Sequence, residues 1–151
     1  MAAERYRSAP GTEPQSPRPS GQPGLTLDHV QVAAPVGGEA AARAFYGELL
    51  GLAELEKPAG LAARGGVWFA LGDGSQLHVG VVVDGFTAAR KAHPALRATG
   101  AAQLRGLAAR LAAAGSPVEW DEWLPDVPRF FTADPWGNRL ELLAGPASPR
   151  R

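Results

Sequence analysis

Landmark residues recur along this chain at a nearly fixed interval. His29 and His93 are 64 residues apart, and so are Gly51 and Gly115. Gly74 and Gly137, Leu77 and Leu140, and His78 and Glu141 are each 63 apart. GSQLHV (74–79) lies over GNRLEL (137–142), so the offset slips by one residue along the repeat. This is the pattern of a duplicated unit of about 60 residues, too small to stand alone, so two copies share one core.

The order of local elements agrees. LDHVQVAA (27–34) reads as a strand from its alternation and β-branched content. GGEAAARAFYGELLGL (37–52) reads as a helix with Ala41, Phe45, Leu49 and Leu52 on one face and Gly51 as its stop. GVWFALG (66–72), a Gly-Asp-Gly turn and QLHVGVVV (76–83) read as a hairpin. AHPALRA (92–98) is the next strand, and AAQLRGLAARLAAAG (101–115) is a helix with Leu104, Leu107 and Leu111 on one face, ended by Gly115. PVEWDEW (117–123), RFFTAD (129–134) and NRLELL (138–143) are strands or strand fragments. Strand, helix, strands is thus written twice. Pro94 removes a ladder donor, which puts its strand at a sheet edge or at the seam between modules.

Outside this frame the chain is Pro-rich. Pro10, Pro14, Pro17, Pro19 and Pro23 alternate with Ser, Gly and charged residues, so residues 1–24 are expected to be a disordered tail and 145–151 a flexible one. The folded domain is then 25–144, with modules at about 25–84 and 91–144. Fifteen basic and fifteen acidic residues balance, which removes the electrostatic case for nucleic acid or an anionic membrane. No apolar run approaches the roughly 18 residues of a membrane span. There is no cysteine, hence no disulfide and no thiolate ligand, in keeping with a cytoplasmic protein.

Each module carries one polar residue on its first strand and one on its last. Strand side chains alternate between faces, so His29, His78, His93 and Glu141 all point away from the apolar face that packs on the helix. If the two sheets curve toward each other, the four converge. Three imidazoles and a carboxylate are a first-row metal donor set, and the chain's three histidines all fall in it. Taken singly, each is more ordinarily a wet-face or hydrogen-bonded residue. Together, on a duplicated frame, the four make a metal site the expectation. Trp68, Trp120, Trp123, Trp136 and Phe131 are candidates to line a cleft, and Arg97, Arg129 or Arg139 to hold an anionic group, against the plainer reading of core aromatics and rim arginines.

The motifs LDHVQV, AFYGELLGL, GSQLHVGV, AHPALRA and FFTADPWGNRLELL resemble the vicinal oxygen chelate superfamily, which includes glyoxalase I, fosfomycin- and bleomycin-resistance proteins and extradiol dioxygenases. The resemblance runs from about Leu27 to Leu143. It implies an α+β fold of two duplicated βαβββ modules whose curved mixed sheets form a metal-binding cleft. It further implies a divalent metal (Fe, Zn, Ni, Co or Mn) on His29, His78, His93 and Glu141, and a homodimer. Glyoxalase I enzymes usually carry a carboxylate where this chain has His78, which leaves Glu141 as the carboxylate base among these positions. The subset His29, His93 and Glu141 matches the two-His, one-carboxylate pattern of the dioxygenase and fosfomycin-resistance branches. The expectation is a metal-dependent enzyme acting on a small oxygen-rich substrate by isomerase, lyase or dioxygenase chemistry, with Glu141 and His78 as the proton-moving groups. The alternative is a non-catalytic protein of the same fold that sequesters a small molecule.

Overall fold

In a computed structural model, residues 25–145 are described; the two expected tails otherwise lie outside these residues. The first module holds β1 (His29–Pro35), α1 (Glu39–Ala42) running on into a π-helical segment (Arg43–Leu49), β2 (Glu54–Leu55), α2 (Ala59–Ala62), β3 (Val67–Ala70) and β4 (Gln76–Val82). The second holds β5 (Ala95–Arg97), α3 (Ala101–Ala113), β6 (Glu119–Asp121), β7 (Arg129–Ala133) and β8 (Arg139–Leu143). The sheets have the same order, β1-β4-β3-β2 and β5-β8-β7-β6, each with one parallel pair and antiparallel neighbours.

The duplication extends to the register. Gln31 faces His78 across the parallel pair of the first sheet, and Ala95 faces Glu141 in the second. Trp68 is opposite His78 as Phe131 is opposite Glu141. The glycines that end the two main helices have φ of 78° and 81°, and those in the two hairpin turns 87° and 90°. All four lie in the left-handed region that only glycine enters without strain. After α3, Ser116 N–H closes back on Leu111 O at 2.9 Å, so the glycine stop also satisfies a helix-end carbonyl.

Several local expectations are corrected. The first helix is not a regular α-helix throughout. Leu50 N–H bonds Phe45 O, five residues back, and the wider turn moves the buried face to Ala42, Phe45, Tyr46 and Leu50, leaving Ala41, Leu49 and Leu52 half-buried. The strand expected over 92–98 forms only at Ala95–Arg97, so His93 sits in the approach to it. Pro94 O still accepts Glu141 N–H at 3.0 Å, and β5 is an edge strand as Pro94 requires. The short β2 and α2 carry no periodicity a sequence reading could use.

One core spans both modules, from Phe45, Tyr46, Phe69 and Leu77 to Leu104, Leu111, Phe130 and Leu140. A polar knot ties the modules together. In the turn before β8, Asp134 Oδ1 accepts the N–H groups of Trp136 and Asn138, and its Oδ2 accepts the Tyr46 hydroxyl at 2.9 Å and Asn138 Nδ2 at 2.7 Å. Asn138 Nδ2 also donates to Ala33 O in β1, while its Oδ1 accepts Ala89 N–H from the linker. Burial, and then the Asp134 charge, push the Tyr46 phenol far above its ordinary pKa, so it stays a donor at every working pH. Asn138 is 1% exposed and every bond it makes is to the protein, so its loss strands several partners at once. Asn138→Ala is expected to lower unfolding free energy by about 2–4 kcal/mol and Tyr46→Phe by about 1–2 kcal/mol, read from urea titrations with unchanged m-values.

Candidate metal centre

The four expected donors lie on the sheet faces turned away from this core, in two pairs. In the first module, His78 on β4 is sandwiched. Its ring stacks on Trp68 at 4.0 Å between centroids and on His29 at 4.3 Å. It is buried, whereas the His29 side chain, at the start of edge strand β1, is 45% exposed. Gln31 shares this face and lies across Gly80, where a Cβ would stand 2.6 Å from its amide. In the second module, His93 Nε2 is 3.2 Å from Glu141 Oε2, with the imidazole edge-on to Phe131 at 5.6 Å. Arg129 grips the other carboxylate oxygen at 3.1 Å and reaches Asp121 with its second nitrogen at 3.2 Å.

The sheets do not bring the two pairs together within one chain. Among the described residues, no three His, Asp or Glu side chains gather closely enough to hold one ion. The reason is how the modules join. They meet through their helices, where Arg110 Nε donates to Leu49 O, and through the Asp134–Asn138 turn, so the donor-bearing faces do not close on each other. Trp136, expected to line a cleft, packs at this junction instead; a Cβ on Gly38 would stand 2.7 Å from its ring.

Each of the three imidazoles has an oxygen within hydrogen-bond distance of one ring nitrogen. His29 Nδ1 is 2.7 Å from Asp28 Oδ1, His78 Nε2 is 2.8 Å from Gln76 Oε1, and His93 Nδ1 is 2.8 Å from Lys91 O. Each of these oxygens supports one ring nitrogen, the kind of partner that orients ligating imidazoles. In the second module the other ring nitrogen, His93 Nε2, faces a Glu141 carboxylate oxygen, so both nitrogens of that ring have an oxygen partner. Two donors 3.2 Å apart have the separation of neighbours on one ion with bonds of about 2.0–2.2 Å. The first pair fits in kind but not in orientation. Lone pairs lie in the ring planes, and the His29 and His78 planes are within 16° of parallel, so as stacked they do not aim at one point. His29 is the more exposed of the two, held by its stack on His78 and by the exposed Asp28.

Sequence reading missed Gln76, Asp121 and the Lys91 carbonyl as supports. The strand alternation could have found Gln76 and Asp121, which share faces with the donors; nothing local marks a backbone carbonyl. Of the proposed anion holders, Arg129 is consumed by two carboxylates and Arg97 turns to Gly145 O.

The sequence pattern of the Glyoxalase/Bleomycin resistance protein/Dioxygenase superfamily matches residues 26–142. A glyoxalase family protein from Bacillus anthracis is 43% identical, with a TM-score of 0.74 over 81% of this chain and 96% of its own. Lactoylglutathione lyase from Agrobacterium tumefaciens (22% identity, TM-score 0.59, 82% and 95% coverage) and a glyoxalase/dioxygenase from Nostoc punctiforme (23%, 0.63, 81% and 92%) share the fold. No curated protein matches the chain.

Burial, and then the neighbouring His29, hold the His78 pKa below the usual imidazole value. The unfolded chain therefore takes up a proton at His78 near the ordinary value of about 6.5 while the folded chain resists, and acid favours unfolding. The His78 contribution is present above that value and lost as pH falls through the lowered one. Between about pH 7 and about pH 5, the urea midpoint of the parent is expected to fall more steeply than that of His78→Gln.

Proposed function

The chain belongs to the glyoxalase/bleomycin resistance/dioxygenase superfamily, and from that premise we propose that it is a divalent-metal-dependent enzyme acting on a small oxygen-rich substrate. The observation that carries this reading is the His93–Glu141 pair. His93 Nε2 and Glu141 Oε2 stand 3.2 Å apart, with His93 Nδ1 held by Lys91 O and Glu141 Oε1 held by Arg129, so two atoms of metal-ligating type are pre-placed side by side. A divalent cation displacing the ring proton would bind both atoms.

A complete site needs more donors than either pair provides. His29 and His78 of one copy meeting His93 and Glu141 of a second copy would supply three imidazoles and one carboxylate, and this supports a homodimer with shared sites. A divalent cation there would supply Lewis-acid polarisation of two substrate oxygens. The chain's own residues do the rest. His78 is kept neutral by its burial, so its free Nδ1 accepts a proton. Glu141 is oriented through both oxygens, by Arg129 and His93. Trp68 and Phe131, at matching register positions, give each half an aromatic wall beside its donors. The chemistry open to such a site is isomerase, lyase or dioxygenase chemistry. The sequestering alternative is favoured by one observation, that among the described residues no three donors gather within a chain.

Elemental analysis separates the two readings. Protein purified without chelator or His tag is expected to carry near-stoichiometric Fe, Zn, Ni, Co or Mn, lost in His93→Ala and held at least about tenfold more weakly in Glu141→Gln. Co-expressing a His29→Ala/His78→Ala chain with a His93→Ala/Glu141→Gln chain should restore about a quarter of the parental metal, because half of the dimers then have one intact site of two. No metal after reconstitution of the parent would move the reading to a binding protein. Metal retained by the parent but never restored by co-expression would place the site within one chain.

A further inference from the structure

An open pocket of ≈ 270 Å³ lies on the second sheet's donor-bearing face, lined by Arg90, Pro117, Glu119, Phe131 and Arg139 among others. That is close to the lower end of small-ligand sites. Its two arginines differ from Arg129 next door. Arg129 is neutralised by Asp121 and Glu141. Arg139 has its guanidinium carbon 3.8 Å from the centre of the Phe131 ring, and its Nε is buried without a hydrogen-bond partner among the described residues. No carboxylate pairs with Arg139 or Arg90 among those residues.

The backbone brings these two residues to the same pocket. Arg139 N–H donates to Ala89 O at 2.8 Å, and Ala89 N–H donates to Asn138 Oδ1 at 2.9 Å. The linker is thereby laced to the start of β8, and Arg90, the next residue, stands on the pocket beside Arg139. Two cationic side chains lining one pocket give it a potential that favours an anion. Glu119 at the rim offsets only one of the two, so the pocket keeps a net positive charge.

We infer that this pocket binds the anionic group of the substrate, and that the substrate is a small carboxylic acid. Arg139 grips the carboxylate, Arg90 adds a second cation, and Phe131 covers the adjoining apolar carbons. Arg139 and Glu141 are two residues apart on one face of β8, so their side chains leave the strand about 7 Å apart. The inference rests on the reading of His93 and Glu141 as the reacting end, and sets the distance between that end and the carboxylate. Arg139 and Arg90 are thus specificity-determining residues.

The test is a calorimetric titration of sodium benzoate, with neutral benzamide as control, into the full chain at low salt and in EDTA. Benzoate is expected to bind saturably and benzamide at least about tenfold more weakly. Arg139→Gln and Arg90→Ala should each weaken benzoate at least about fivefold, and Glu119→Gln should tighten it. Arg90 is an exposed loop residue, so its variant decides the matter if Arg139→Gln does not fold. The inference is overturned by absence of benzoate binding, by equal affinity for benzamide, by binding that both arginine variants leave unchanged, or by binding that appears only when metal is added. Failure of the metal reading would show in the elemental analysis and leave this metal-free titration untouched.

Discussion

The Asp134–Asn138 knot is what the rest of the structure hangs on. Asp134 and Asn138 sit in a hairpin turn, yet between them they bond the first helix through Tyr46, strand β1 through Ala33 and the linker through Ala89. A buried carboxylate and a buried amide cost several kcal/mol each if left unpaired, so the knot forms completely or the modules do not dock. One docking geometry satisfies all the partners. That geometry buries the helices against each other and leaves both donor-bearing faces uncovered.

The same knot shapes the chemistry at a distance. By drawing Ala89 onto the start of β8 it fixes where the linker runs and stands Arg90 beside Arg139. The second sheet's face is then divided by charge. On one side, Arg129 is locked to Asp121 and Glu141 and orients the carboxylate. On the other, two arginines have no carboxylate partner among the described residues. The first sheet's face is different in kind, an aromatic stack of Trp68, His78 and His29 with Lys57 and Asp28 at its two ends. Two copies of one module have thus diverged into an aromatic half and an ionic half at the same register.

Much of this was legible in the chain. The offset of 63–64 residues announced the duplication, and the matched registers, sheet orders and positive-φ glycines follow from it. His78 and Glu141 could be assigned to their face because strand alternation is strict. The errors fell where local pattern is weak. The π-helical turn moved the buried face by a residue. The two-residue β2 and the four-residue α2 are too short to show periodicity. Trp136 was misread because a tryptophan in a turn can face either a cleft or a neighbouring module, and Gly38, which makes room for it, is nearly a hundred residues away.

The sequence by itself determined the family, the duplicated α+β architecture and the sheet face on which His78 and Glu141 lie, because these depend on periodicity, turn chemistry and residue type, all of which are local. Only the tertiary structure decided how the donors are grouped. Whether four side chains on two sheets meet depends on how the modules dock, and docking is set by contacts such as Asn138 to Ala33, between residues 105 positions apart. The same long-range contacts left Arg139 without a carboxylate and gave one to Arg129, although the two arginines look alike in the chain.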